Sequence, residues 1–134
     1  MKLKYLAVSI VFLFTSILNN SDVQDSKIDL LCNGKWYMSS MESGGNKMPV
    51  PKADKNSMWM IFSKDGKHEV NAKDKNSKAE KGLWKFSKNK DSIIFTTEQG
   101  NIKPMKLKDL TKKELNLVFD AYGREITIYL ERKE

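Results

Sequence analysis

Beyond Cys32 no stretch of the chain keeps apolar residues at a 3.6-residue spacing for three turns, so the helical layers of bundles and α/β folds have nothing to be built from. Apolar runs of five to nine residues recur instead, divided by turn-forming clusters, which is the pattern of short strands. The runs are Lys35–Met41, Ser57–Ser63, Lys67–Ala72, Lys81–Ser87, Ser92–Thr97, Ile102–Leu110, Glu114–Asp120 and Arg124–Lys133. Lys64-Asp65-Gly66 and Tyr122-Gly123 supply the positive-φ residues of tight hairpin loops. Pro104 has no N–H for a ladder, so it marks a bulge or a strand edge. Eight strands joined by short links form an antiparallel meander, and closing the meander removes its exposed edges. The expected fold is all-β, an eight-stranded antiparallel up-and-down β-barrel.

Alternation separates the two faces of each strand. Ile126, Ile128, Leu130 and Arg132 share one face of the last strand, Leu115, Leu117 and Phe119 one face of the seventh, and Gly82, Trp84 and Phe86 one face of the fourth. The second is apolar on both faces, with Met58, Met60 and Phe62 against Trp59 and Ile61, so its outer face needs cover, from Pro49–Pro51 or from a partner. Ser43–Asn56, rich in Gly, Pro and Lys, is long for a hairpin loop and is expected to cross a barrel mouth.

Lys2 and Lys4 followed by an apolar run from Tyr5 to Leu18 make a secretory signal, which stops short of the roughly 20 apolar residues of a spanning helix. Without an A-x-A triplet the cut is expected within Leu18–Gln24; residues 1–21 are taken as the leader and 22–134 as one barrel domain, with a retained anchor as the alternative. The expected location is therefore the periplasm, the cell surface or the medium. Thirteen residues separate Leu18 from Cys32, too many for a lipoprotein cysteine, so Cys32 reads as a small buried apolar residue.

Losing Lys2 and Lys4 leaves 22 basic against 17 acidic residues, a mature charge of +5. The cations are nearly all Lys and thinly spread, without the clusters of a nucleic-acid binder, so no nucleic-acid partner is expected. An outer-membrane barrel is set aside because Lys85, Lys106, Lys108 and Glu131 occupy outward positions, and lipid burial would cost several kcal/mol for each. The chain is not expected to span a membrane, and a monomer is expected.

Catalytic chemistry is sparse. The single His68 has no second His or Cys with which to form a nucleophile dyad or a His-based metal shell, and reads as an ordinary strand histidine. No Gly-rich phosphate loop, Cys-x-x-Cys pair or EF-hand spacing occurs. Neither an enzyme, a cofactor nor a metal is expected.

Leu30–Trp36 (LLCNGKW) resembles the opening of a lipocalin, in which a helical turn precedes a Gly-x-Trp motif at the start of the first strand. Lys27–Leu31 stands for the turn and Gly34, Lys35 and Trp36 for the motif; Arg132 matches the basic residue that this family packs across that Trp. Phe62-Ser63-Lys64-Asp65-Gly66, the second Gly-x-Trp at Gly82-Leu83-Trp84, and Leu110-Thr111…Leu115 resemble the compact lipocalin-like domains of secreted Bacteroidota proteins. Asp120-Ala121-Tyr122 is a displaced echo of the larger lipocalins' Thr-Asp-Tyr loop; their disulfide and C-terminal helix are absent.

The resemblance implies barrel closure by Gly34, Trp36 and Arg132. It also implies a small apolar or amphipathic ligand inside, walled by Met60, Phe62, Trp84, Phe86, Met105 and Leu117. These residues are bulky enough to fill a small barrel, and the alternative is then a protein-interaction domain (inhibitor, immunity or envelope protein) using Tyr37, Trp59 and the Ser43–Asn56 loop. The six methionines Met38, Met41, Met48, Met58, Met60 and Met105 suit an adaptable pocket or serve as core filler. A cavity of roughly 300 Å³ or more favours the first reading, a filled interior with an exposed aromatic patch the second.

Overall fold

The computed structural model describes residues 26–71 and 78–133. The expected leader, 1–21, and the domain start at 22 lie outside them. After a short helix α1 (26–31) come nine strands: β1 (Lys35–Ser43), β2 (Asn46–Pro49), β3 (Trp59–Phe62), β4 (Lys67–Asn71), β5 (Glu80–Phe86), β6 (Ser92–Thr97), β7 (Ile102–Leu110), β8 (Glu114–Ala121) and β9 (Arg124–Arg132). Each of β3 to β8 pairs antiparallel with the next, and β1 pairs with both β3 and β9. Eight strands thus form a closed antiparallel barrel, as the run spacing predicts. No helix among the described residues is long and apolar enough to cross a membrane.

The ninth strand is β2. The segment expected to cross a barrel mouth instead folds back at Gly44-Gly45, both at positive φ, and pairs Asn46–Pro49 with the end of β1. Two successive positive-φ residues are what the hairpin turn of matching twist requires, and glycine takes them without strain. β1 therefore uses one edge for β9 and shares the other between β3 at Lys35–Tyr37 and β2 at Ser40–Ser43. Pro49 and Pro51 are exposed, and on the outer face of β3 the Lys35 ammonium sits 4.4 Å from the Trp59 ring centroid.

Two single-residue bulges reset which side chains face inward. Ser39 drops out of the β1–β9 register, so the inward positions of β1 pass from Trp36 and Met38 to Met41 and Ser43. Lys108 drops out of the β7–β8 register, so those of β7 pass from Met105 and Leu107 to Leu110. Without these bulges Met41 and Leu110 would point at solvent.

One end of the barrel is solid. Leu31 of α1 and Trp36 have no exposed surface, and the Trp36 indole N–H donates to the Leu31 carbonyl at 2.9 Å. The Arg132 guanidinium lies 4.0 Å from the Trp36 ring centroid and donates to the carbonyls of Lys112 (2.9 Å) and Leu30. Gly34 enters β1 at φ +94°, a conformation that a side chain would strain. Above this cap, Phe62 meets Trp84 edge-on at 5.6 Å and Phe95 at 5.8 Å, while Leu115, Leu117 and Leu130 complete the packing. Cys32 is half-buried against this layer, and burial pushes its thiol pKa up despite the nearby Lys64 ammonium.

Candidate functional site

The other half of the barrel is hollow. Strand pairing brings Met38 and Met41 of β1, Met58 and Met60 at β3, Val70 of β4 and Phe95 of β6 around a cavity of about 250 Å³. Met105 of β7, Phe119 of β8 and Ile128 of β9 close its remaining walls. Its polar lining is sparse: His68 of β4 and Thr97 of β6, with the exposed side chains of Glu80 and Lys103 where it opens. Five methionines on one void give a wall of unbranched, polarizable side chains that reshape at small cost.

His68 is the one ionisable group on this lining that is buried, at 7% exposure. Its ring stands edge-on to Phe95 with centroids 4.9 Å apart, and its Nδ1 is buried without a hydrogen-bond partner. Burial pushes its pKa below the usual imidazole value, and the Glu69 carboxylate only partly opposes this, so the ring is neutral near pH 7. Gly82 makes the room. A Cβ there would collide with the Thr96 carbonyl oxygen and stand 3.2 Å from His68 Cε1, which gives the second Gly-x-Trp its physical reason. The Trp84 indole N–H donates to the Ser63 carbonyl at 2.8 Å, so that side chain is fixed too.

Of the six side chains expected to wall a ligand, Met60 and Met105 line this cavity. Phe62, Trp84 and Leu117 are buried in the solid end, and Phe86 stacks edge-on upon Trp84 at 5.3 Å. Trp84 and Phe86 border a separate, open groove of about 570 Å³ flanked by Lys64, Lys85, Lys88 and Lys90. Alternation alone could not foresee Met38, Met41, His68, Phe95, Phe119 or Ile128 as lining. It marks inward positions, but their height in the barrel depends on register, and Met41 is further hidden by the bulge. The inward parity shared by Met58 and Met60 was the available signal.

The ladder between β7 and β8 is incomplete. Their pairing runs only from Lys106↔Val118 to Leu110↔Leu115, leaving the start of β7 unpaired on that side. The Leu107 N–H donates to Asp91 on the β6 side at 2.8 Å, so two-residue periodicity turns the Pro104 nitrogen toward β8, where no ladder bond is lost. Pro104 thus occupies a strand edge, and an outer recess of about 500 Å³ opens beside it. Phe119 borders both recess and cavity.

The aromatic side chains named for a protein-binding surface are partly covered. The Lys35 ammonium lies over Trp59, and the Lys133 ammonium lies 5.0 Å from the Tyr37 ring centroid. The large apolar side chains that are exposed, Met48, Leu83, Ile102 and Tyr122, lie on β2, β5, β7 and the β8–β9 turn.

The architecture has known counterparts. It is similar to a crystal structure of a lipocalin-like protein from Bacteroides uniformis, with TM-score 0.56 and 16% identity over 76% of this chain and 98% of that one. It is also similar to an uncharacterized protein from Bacteroides eggerthii, with TM-score 0.54 and 16% identity over 74% of this chain and 98% of that one. No curated protein matches the chain. At such identities the likeness speaks for the fold alone. The family model described as a lipocalin-like domain matches residues 33–117, from the turn before Gly34 through the inward Leu117 of β8. With the capped, closed barrel, that match identifies the chain as a member of the lipocalin-like domain family.

Proposed function

We propose that this protein binds a small apolar or amphipathic ligand in the hollow half of its barrel, without transforming it. The observation that carries the reading is the methionine-lined cavity standing beside a fully packed base. At about 250 Å³ it falls short of the roughly 300 Å³ set above for a ligand-binding interior, yet this half is not filled by side chains, so the occupant proposed is a small one. A dry cavity of about 150 Å³ holds benzene, and the same density gives on the order of ten non-hydrogen atoms here. Apolar contact supplies the affinity, while Lys103 and Glu80 at the opening offer a polar end one charge of either sign. The leader read at 1–21 supports export to the periplasm or the cell surface, where such a ligand would be met.

The test uses methionine methyl groups as reporters. With 13C-methyl methionine, titration of octanoate, indole and similar compounds should shift the Met38, Met41, Met58, Met60 and Met105 signals and leave exposed Met48 still. The filling variant Val70→Trp should abolish those shifts. Unmoved cavity signals at millimolar compound, or shifts that survive the filled variant, would overturn the reading. Native mass spectrometry after mild extraction then reports the natural occupant by mass.

A further inference from the structure

Cations that are thinly spread along the sequence are gathered by the fold at one end. In an up-and-down meander every second turn returns to the same end, and Lys64, Lys88 and Lys112 recur 24 residues apart, one in each of the three hairpin turns at the closed base. The segments 26–35, 63–67, 85–91, 110–114 and 131–133, which form that base, carry eleven Lys and Arg against five Asp and Glu. The opposite rim, at 42–56, 78–80, 96–104 and 119–125, carries six of each among the described residues. The positive excess therefore sits on the base, away from the cavity mouth.

The groove of about 570 Å³ is cut into this face. Two contacts from α1 hold its wall: the Lys27 ammonium donates to the Lys90 carbonyl at 3.3 Å, and the Asp29 carboxylate pairs with Lys64 at 2.8 Å. Ile28 and Phe86, both half-buried, give the groove apolar sides beneath its lysines. Asp91 is engaged within its own turn, accepting from the Ser87 hydroxyl at 3.1 Å and the Asn89 amide at 3.2 Å. Among the described residues Lys85, Lys88 and Lys90 make no ion pair. Like charges gathered around one groove repel, and an anion seated among them relieves the repulsion.

We propose that the closed base is a docking face for an anionic phospholipid bilayer, with a headgroup phosphate seated among Lys85, Lys88 and Lys90. A charged plane attracts an extended basic face as a whole, each Lys contributing when it lies within about 10 Å of the surface at 0.1 M salt. A nucleic acid is the weaker fit. Arg is the residue suited to its recognition, and the one Arg of this face, Arg132, is committed to Trp36 and two carbonyls. Stacking of bases needs exposed rings, whereas Trp36, Phe62 and Trp84 are all buried. Docked by its base, the barrel turns its hollow half toward water. The face lies at the opposite end from the cavity and does not rest on the small-ligand reading.

The test is flotation of the full chain with vesicles of phosphatidylglycerol and phosphatidylcholine in equal parts, against vesicles of phosphatidylcholine alone. Binding at about 0.1 M salt should be at least tenfold stronger to the anionic vesicles and should fall at least tenfold at about 0.5 M salt. Insertion of the apolar run at 5–18 would give neither difference. Lys85→Glu/Lys88→Glu/Lys90→Glu should reduce binding to the level of the neutral vesicles, while Lys52→Glu/Lys55→Glu/Lys78→Glu, the same charge change on the rim, should leave it within about twofold of the parent. Thermal melts check that both variants fold. Acetylation read by mass spectrometry should show the vesicles shielding Lys88 and Lys112 but not Lys52 or Lys55. Equal binding to neutral vesicles, equal loss in the two triple variants, or shielding of the rim lysines would overturn the face. So would tighter binding, at matched salt, of an oligonucleotide or of polyglutamate, which would assign it to another class of partner. Vesicle binding is read without any cavity ligand, so either proposal can fail while the other stands.

Discussion

Arg132 is the side chain whose removal most directly tests how the closed end is held. Its guanidinium donates to the carbonyls of Lys112 and Leu30 and covers the Trp36 ring at 4.0 Å, joining β9, the β7–β8 turn, α1 and β1. A hydrogen bond from a charged donor contributes about 1.5–3 kcal/mol when sheltered, and the cation–π contact about 0.5–2 kcal/mol. The Lys112 contact is exposed and counts for little, so Arg132→Ala should destabilise the barrel by about 3 kcal/mol. In a domain near 110 residues that lowers the melting temperature by about 10 °C. Arg132→Lys keeps the charge but reaches one carbonyl at a time and loses the flat stacking face, so it should recover about a third of the loss. Urea unfolding followed by tryptophan fluorescence measures both, and a cycle with Trp36→Phe isolates the ring contact, expected at about 1 kcal/mol. Arg132→Ala within about 0.5 kcal/mol of the parent, the range of an ordinary surface change, would refute this account of the cap.

Other outcomes follow from the hollow half. Gly82→Ala should cost about 2 kcal/mol or more in urea unfolding, because the added methyl meets a backbone carbonyl that cannot swing aside and crowds the His68 ring. The lowered pKa of His68 makes stability depend on pH with a definite sign. Below about pH 6.5 the unfolded chain takes up a proton that the folded ring still refuses, so stability falls with falling pH down to the folded-state pKa. Urea midpoints compared between pH 7.5 and 5.5 should therefore drop more for the parent than for His68→Phe; equal drops would remove the basis for a neutral buried ring.

Much of this architecture is legible in the residues, for identifiable reasons. β6 and β7 occupy Ser92–Thr97 and Ile102–Leu110, the spans that alternation and flanking turns delimit. Gly34-Lys35-Trp36 and Arg132 stand out because each needs a special backbone or a special partner. β2 escapes detection because all four of its residues are exposed, leaving no alternation to read. Bulges at Ser39 and Lys108 escape because nothing local distinguishes a skipped residue from a paired one. The division of the inward side chains into packed base and hollow top escapes as well. Phe62 and Met60 share a strand face, yet one is plug and the other wall, a difference set by their partners across the ring.

The seam between β1 and β9 also has a consequence for synthesis. Trp36 waits for Arg132, ninety-six positions later, before its ring is covered. On the ribosome, β3 can pair with β1 and each of β4 to β8 with its predecessor as they emerge, but the nascent sheet stays curled and open until β9 has left the exit tunnel. Such long-range closure is slow compared with local hairpins. A polypeptide stalled before Arg124 would carry two bare strand borders and an uncovered indole, the features by which half-made β-proteins stick to one another.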